Sequence, residues 1–377
     1  MSDGPVHLPR GKVIAQRWKI VKKLGEGGCG AVYKVEDIKN NNALAALKAE
    51  SNFVAGGTVL KLEVQILTRL SGRPHVPQLI HSGKKELYCY MVMTLLGDSL
   101  GSLLRRVGRT SSVSTQTRVG INILFGVKQI HDIGYVHRDL KPANVAVGRV
   151  NTPDHRFLHI LDFGLAREYV VREGDKLQMR RPRPRALFRG TTRYCSINTH
   201  DKGEQGRVDD LWSLMFMLAE MRGSLPWAHL REKKDINEVK KRTPHEKLLQ
   251  NSPVQLVKMA RHLDTLNYYS HPDYAFLYKQ LNDVMKAGKY NRFSDPFDWE
   301  PKQKTAQMPH VTLKPSTTTT KTAITNEMTA VSHSTDLPLS VTLRGKDFQR
   351  WSKEHPTKAT EDNPFPAEWF KTNPIGF

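Results

Sequence analysis

The string His137-Arg-Asp139-Leu-Lys141-Pro-Ala-Asn144 puts three different chemistries within six positions. Asp139 is an acid able to accept the proton of an attacking hydroxyl. Lys141, two residues on, is a cation able to neutralise charge on a transferring phosphoryl group, and Asn144 is a neutral oxygen donor suited to a magnesium ion. Asp162-Phe163-Gly164 follows at a short spacing, and its carboxylate suits the magnesium that bridges nucleotide phosphates. A purely structural reading does not account for both strings in this order.

A second cluster lies earlier, in Gly25-Glu-Gly27-Gly28-Cys29-Gly30-Ala-Val32. Glycine spacing alone is a weak signal. A dinucleotide-binding unit would continue into a helix, with an acid about 20 residues on. Here the glycines run into Ala31-Val-Tyr-Lys-Val35, which reads as a second strand. A strand–loop–strand hairpin lays backbone N–H groups over phosphates, with Val32 against an adenine ring. Ala45-Ala46-Leu47-Lys48 then puts one lysine on an otherwise apolar strand. Alone, that lysine reads as an exposed strand face. Glu63, on the following helix, offers the partner that would hold it on the phosphates. Gly25, Gly27, Gly28, Gly30, Val32, Ala46 and Lys48 are thus the candidate nucleotide clamp.

The elements that must position these groups follow from periodicity. Residues 18–24, 31–35, 43–49 and 87–96 read as strands with turn residues between them. Leu60, Val64, Leu67 and Leu70 recur at helical spacing within residues 58–70. Residues 18 to about 95 therefore form a small β-rich lobe with one helix. Residues 96 to about 295 read as helical, best at 117–133 and 209–221, with short strands at 145–147 and 157–161. The fold class is α+β, in two lobes. Residues 1–17 are an N-terminal extension. Pro315-Ser-Thr-Thr-Thr-Thr-Lys-Thr322 cannot build a core. Residues 296–377 are expected to be a largely disordered tail; Phe365, Trp369 and Phe370 could dock on the core, but a bare tail is the favoured reading.

Composition sets the outer limits. Over 377 residues, 38% apolar and 25% charged content suits a packed core and excludes wholesale disorder, collagen and disulfide scaffolds. No apolar run approaches the roughly 20 residues that span a bilayer. Cys29, Cys89 and Cys195 are far apart and odd in number, which predicts free thiols in a reducing compartment and no zinc-finger site. Residues 1–12 lack a signal-peptide core, and no prenylation cysteine ends the chain, so a cytoplasmic or nuclear location is expected. Cys29 reads as an inert thiol, and Trp212, Met215 and Met217 as helix core. The net charge of +21 fits nucleic acid, a membrane surface or acidic proteins equally. Five arginines gather in Met179-Arg-Arg-Pro-Arg-Pro-Arg185 and at Arg189, in the loop after Asp162.

With these strings together, residues 18 to about 295 resemble a eukaryotic protein kinase. Met91-Val-Met-Thr-Leu-Leu-Gly-Asp-Ser-Leu100, Lys141-Pro-Ala-Asn144, Gly190-Thr-Thr-Arg-Tyr-Cys-Ser-Ile-Asn198 and Leu225-Pro-Trp227 are similar to the casein kinase 1 superfamily. Asn144-Val-Ala-Val-Gly148 and Gly206-Arg-Val-Asp-Asp-Leu-Trp212 look most like its tau-tubulin kinase branch. The resemblance implies Ser/Thr phosphorylation with ATP and magnesium. Asp139, Lys141, Lys48, Glu63 and Thr191 would be catalytic, with Thr191 bonded to the catalytic Asp. Asn144 and Asp162 would bind metal, Met93 would gate the adenine pocket, and the backbone near Leu96 would hold the adenine edge. Asp210 would anchor the catalytic loop as scaffold.

The resemblance also gives Arg193 a part in binding phosphate on the substrate. With Arg180, Arg181, Arg183, Arg185 and Arg189 it points to acidic or already phosphorylated protein substrates, and Lys233, Lys234, Lys240 and Lys241 extend the patch. Nucleic acid and membrane insertion are not expected, and the chain should be a monomer. Ser196-Ile-Asn198 stands where most kinases have Ala-Pro-Glu, so Asn198 cannot make the usual ion pair and the brace must differ. From Asp162 to Thr191 only Tyr169 and Thr191 carry hydroxyls, which predicts activity without loop phosphorylation. The alternative is a non-catalytic kinase-fold scaffold for an acidic partner. Such scaffolds usually lack a residue of the Lys48, Asp139 and Asp162 set, and none is missing here.

Overall fold

Strand alternation builds the first lobe. The computed structural model describes residues 6–27, 30–54, 57–73, 76–108, 110–174, 176–290, 293, 295–301 and 364–377. Within them β1 (Val13–Ile14), β2 (Trp18–Gly27), β3 (Gly30–Asp37), β4 (Ala43–Ser51), β5 (Leu79–Lys84) and β6 (Tyr88–Thr94) form one antiparallel sheet. Its order is β1-β2-β3-β4-β6-β5. Tyr33, Leu47 and Val92 lie opposite one another and close a core with Trp18, Ile20 and Val35. Period two then sends Val32, Lys48 and Met91 to the other face, with Ala46 and Met93 beside them. The candidate clamp thus lies on the face that carries buried Ala46, Lys48 and Met91, opposite the core of Tyr33, Leu47 and Val92.

Helix α1 (Leu60–Arg69) lies against β5 and β6. Its start is fixed from the sheet. The buried Glu50 carboxylate, two residues beyond Lys48, accepts the Leu60 N–H at 3.0 Å and the Val59 N–H at 3.3 Å. A carboxylate there also suits the positive end of the helix dipole.

The second lobe holds α2 (Leu100–Val107), α3 (Val113–His131), α4 (Ile197–His200), α5 (Arg207–Glu220), α6 (Lys233–Arg242), α7 (His245–Leu248), α8 (Val254–Asp264) and α9 (Tyr274–Ala287). Ser99 and Ser112 cap α2 and α3 by accepting the N–H of Ser102 and Thr115, at 3.2 and 3.1 Å. Helices α3 and α5 are buried along most of their length, and they pack on each other, on α8 and on α9. Between them run β7 (Tyr135–Val136), β8 (Val145–Val147), β9 (Leu158–Ile160), β10 (Arg167–Glu168), β11 (Val170–Glu173) and β12 (Lys176–Met179). β7 pairs with β10, β8 with β9, and β11 with β12.

The expected strands and helices appear as β2, β3, β4, β6, α1, α3, α5, β8 and β9. Met215 and Met217 are buried in α5, while Trp212 is part-buried beside them. β5 and the β11–β12 hairpin are among the strands not expected. β5 alternates half-buried and exposed positions at the sheet edge, so no apolar run marks it. The β11–β12 hairpin turns through Gly174, whose φ of +59° favours glycine.

The C-terminal segment corrects the expectation of a bare tail. Phe365 is 0% exposed and Phe370 2% exposed. Trp369 stacks on Phe125 of α3 at 5.2 Å, and Phe370 lies parallel to Tyr278 of α9 at 4.2 Å. Three aromatics within six residues bury enough area to offset the ordering of a short segment. Buried Phe297 and the Arg156–Glu300 ion pair likewise carry folded structure past residue 295. The threonine tract at 315–322 lies outside the described residues. No helix among the described residues is long and apolar enough to cross a membrane.

Candidate active site

The loop after β7 is hung from one buried carboxylate. Asp210, in the first turn of α5, accepts the N–H of His137 at 2.7 Å and of Arg138 at 2.8 Å. It also takes His131 Nε2 at 2.9 Å. Burial opposes its charge, but His131 and these bonds outweigh burial and hold the carboxyl below its usual range. Arg138 sits at a left-handed φ of +69°, which a non-glycine residue adopts only when the surroundings impose it. The two bonds to Asp210 impose it.

That turn delivers Asp139. Its Oδ1 accepts the Thr191 hydroxyl at 2.7 Å, and its Oδ2 accepts Lys141 Nζ at 2.6 Å. Lys141 also reaches Thr191 Oγ1 at 3.2 Å. Asn144 donates Nδ2 to the Asp139 main-chain oxygen at 3.0 Å, which leaves Oδ1 as its acceptor end.

From the sheet side, Lys48 Nζ bonds Glu63 of α1 and reaches Asp162 Oδ1 at 3.4 Å. The Lys48–Glu63 pair is buried. Burial pushes the Glu63 carboxyl up against the pull of Lys48. Burial also opposes the charge on Asp162, yet Lys48 and His137 prevail and lower its pKa. Phe163 is buried with its ring edge-on to His137 at 5.4 Å. Asp162 is thereby turned to Lys48, at a φ of +64°.

Gly25 pairs with Val32 and Gly27 with Gly30, so the glycine hairpin hangs beside Val32 on the clamp face. Gly30 has to be glycine, because a Cβ there would stand 2.2 Å from the Ala49 carbonyl oxygen, at a φ of +103°. Ala46 is buried opposite half-buried Met93, and Leu96 follows β6 at intermediate burial. Gly28 and Cys29 lie outside the described residues. Cys195 is buried, which pushes its thiol up to about 11, and Cys89 is half-buried.

The model of the protein kinase domain matches residues 18–286. This chain is a protein kinase. A serine/threonine-protein kinase of Caenorhabditis elegans is 52% identical over 301 residues, which is 80% of this chain and 87% of the relative. A casein kinase I of the same organism is 33% identical over 314 residues, 80% of this chain and 88% of the relative. An inactive tau-tubulin kinase of that organism is 36% identical over 260 residues, 66% of this chain and 89% of the relative. The chain is thus a serine/threonine kinase of the casein kinase 1 superfamily with tau-tubulin kinase-like relatives. A kinase domain uses ATP and a divalent metal. The amide oxygen of Asn144 and the carboxylate of Asp162 are hard donors that fit such a cation.

In this kinase the loop after Asp162 divides the six candidate arginines. Arg183 is held by Glu204, with Nη2 at 2.9 Å, and Arg193 by Glu220, with Nε at 2.6 Å. Arg180 leans on Glu168, its Nε donating to the main-chain oxygen at 3.0 Å. Arg181, Arg185 and Arg189 are exposed. The expected lysine extension divides too. Lys240 is a correction: it is buried, donates to the Thr192 oxygen at 2.8 Å, and burial brings its pKa down to about 8. Lys241 pairs with Asp201 at 2.9 Å. Lys233 and Lys234 line a groove of about 770 Å³ with Arg185, Phe188 and Lys202, and no carboxylate lines it among the described residues.

The different brace at Asn198 is also visible. Asn198 Nδ2 donates to Asp209 Oδ1 at 3.1 Å and to the Glu204 main-chain oxygen at 3.0 Å. A neutral amide bonded to a carboxylate within the lobe replaces an ion pair across it. Sequence reasoning missed Glu204, Glu220, His131 and Glu50. Each acts on a partner 9 to 79 residues away, and no local pattern marks them.

Proposed function

We propose that this kinase transfers the ATP γ-phosphate to Ser/Thr hydroxyls of acidic or phosphorylated proteins, with Mg2+ and without loop phosphorylation. The observation that carries the reading is the joined assembly of Asp139, Lys141 and Thr191, together with the Lys48–Glu63–Asp162 group.

Asp139 receives the proton of the acceptor hydroxyl as its oxygen bonds to the γ-phosphorus and the bond to the departing diphosphate breaks. Thr191 and Lys141 hold that carboxylate in one orientation. Lys141 then balances charge on the moving phosphoryl group, and Lys48, held by Glu63, keeps the α- and β-phosphates in place. Asn144 and Asp162 would hold the metal, which would neutralise charge on the phosphate oxygens. Val32, Ala46 and Met93 line the adenine side, the backbone near Leu96 binds its edge, and Gly25, Gly27, Gly28 and Gly30 bring the hairpin close to the phosphates.

Charge supports the substrate class. Arg181, Arg185 and Arg189 are exposed, and Arg185 lines a groove with Lys202, Lys233 and Lys234. Guanidinium and ammonium groups without a facing carboxylate favour acidic or phosphorylated chains. Arg193, already bonded to Glu220, would have to share itself with a substrate phosphate.

An internal carboxylate supports independence from loop phosphorylation. Glu204, 1% exposed at its side chain, takes Arg183 and Arg167, the latter at 3.2 Å. Nearby, burial and then Arg167 push the Arg138 guanidinium down to about 10, while Glu204 pulls the other way. Arg167 and Arg183 thus already have an anion.

The alternative of a silent scaffold has one relative named inactive beside it. The assembled pairs above speak for turnover. Purified kinase offered ATP, Mg2+, casein and paired acidic and neutral peptides tests both, before and after phosphatase treatment. Transfer favouring acidic peptides and surviving phosphatase supports the reading. Activity abolished by phosphatase, or indifferent to acidic neighbours, overturns that part of it.

A further inference from the structure

The geometry points to residues 364–377 as an intramolecular brace that positions the catalytic loop through Arg207. The segment runs along one side of the helical lobe. Phe365 packs among Phe125, Phe157 and Phe293, at 5.2, 5.9 and 5.3 Å between ring centres. Thr372 Oγ1 then accepts buried Lys128 Nζ at 2.7 Å.

The far end reaches the root of the catalytic loop. Ile375 and Phe377 pack on Val136, Tyr169 and Val170. Val136 directly precedes His137, and Tyr169 Oη donates to the His131 main-chain oxygen at 2.8 Å. The Phe377 main-chain oxygen accepts Arg207 Nη1 at 2.6 Å and His271 Nδ1 at 2.6 Å.

Arg207 is 2% exposed, and its guanidinium lies over the Tyr169 ring at 4.8 Å. A buried guanidinium needs strong acceptors, and among the described residues its other acceptors are weak: Tyr169 Oη at 3.5 Å and Met179 Sδ at 3.9 Å, while His271 Nδ1 spends its proton on the Phe377 oxygen. The Phe377 oxygen is therefore its principal acceptor. Arg207 begins α5, three residues before Asp210, which holds the His137 and Arg138 N–H groups. Arg207 is thus a positioning residue: it touches no reacting group, and acts by fixing the first turn of α5 that carries Asp210.

The test compares the full chain with one ending at Pro374, which retains Phe365, Trp369 and Phe370 and removes the Phe377 bonds to Arg207 and His271 and the Ile375–Phe377 packing. Two quantities are read: kcat and ATP KM per folded molecule, and amide exchange at His137 and Arg138. The brace predicts a kcat about tenfold lower with ATP KM within twofold, and exchange at those amides at least tenfold faster. A structural role alone would lower the folded fraction and leave kcat per folded molecule unchanged. Should the shortened chain not fold, Ile375→Ala in the full chain is read in the same two ways, with the same predictions in smaller degree. Unchanged kcat and unchanged exchange in the folded variant overturn the brace. The exchange arm needs no turnover, so it decides the brace even if the unaltered kinase transfers no phosphate, a result that would count against the proposed function alone.

Discussion

Thr191 donates its hydroxyl to Asp139 across 52 residues of sequence, at 2.7 Å. The bond ties the substrate loop to the catalytic loop, so a displaced substrate loop also misorients Asp139. A hydrogen bond to a charged group contributes about 1.5–3 kcal/mol. Thr191→Val should therefore lower kcat by about 10- to 100-fold, while Thr191→Ser keeps most of it. Steady-state kinetics of the two variants check this, and equal losses in both would contradict it.

Lys48 and Glu63 are buried together, so each is costly without the other. Removing one partner of a buried ion pair costs about 3–5 kcal/mol. Lys48→Met and Glu63→Gln should each abolish most transfer and lower the melting temperature. The double variant should melt no lower than the worse single one, because the uncompensated charge is gone. Thermal melts of the three variants measure the coupling, and additive losses would argue against it.

Asp209 gives a pH signature. Burial raises its carboxyl to about 6, well above the usual carboxylate range, against hydrogen bonds from Ser196, Gly206 and Asn198. A raised carboxyl binds its proton more tightly in the folded state. Its stabilising contribution is therefore complete below about pH 4 and is lost as pH rises through 6. Relative to Asp209→Asn, the kinase should lose about 2 kcal/mol of stability between pH 4 and pH 7. Denaturant titrations of both proteins across that range read the difference, and a constant gap would refute the assignment.

Reversing charge in the groove should separate recognition from chemistry. Arg185→Glu with Lys233→Glu should raise KM for acidic peptides about tenfold, leave kcat nearly unchanged, and weaken the salt dependence of kcat/KM. A matching KM rise for neutral peptides would instead mean a general disturbance of the loop.

Much of the site was legible because kinase chemistry sits on short strings. Asp139, Lys141 and Asn144 lie within six positions, and the strand alternation that aims Lys48 at Glu63 can be read from Ala45 to Lys48. What stayed hidden depends on distant partners. Arg183 and Arg193 looked like surface cations until Glu204 and Glu220 met them. Lys240 looked like one more lysine of the patch, but its charge is spent on the Thr192 and Cys195 carbonyls. The aromatics of 364–377 gave no periodicity, because a segment that docks by isolated rings has no repeating face to reveal.

The central claim is that Asp139 is the base of a working phosphotransferase. Purified kinase and its Asp139→Ala variant should be compared for γ-phosphate transfer to a Ser/Thr peptide, with ATP binding measured in parallel. The account predicts transfer by the kinase, a loss of about 10²- to 10⁴-fold in the variant, and unchanged ATP affinity. Equal turnover in both proteins, or none in either with ATP bound, would contradict it.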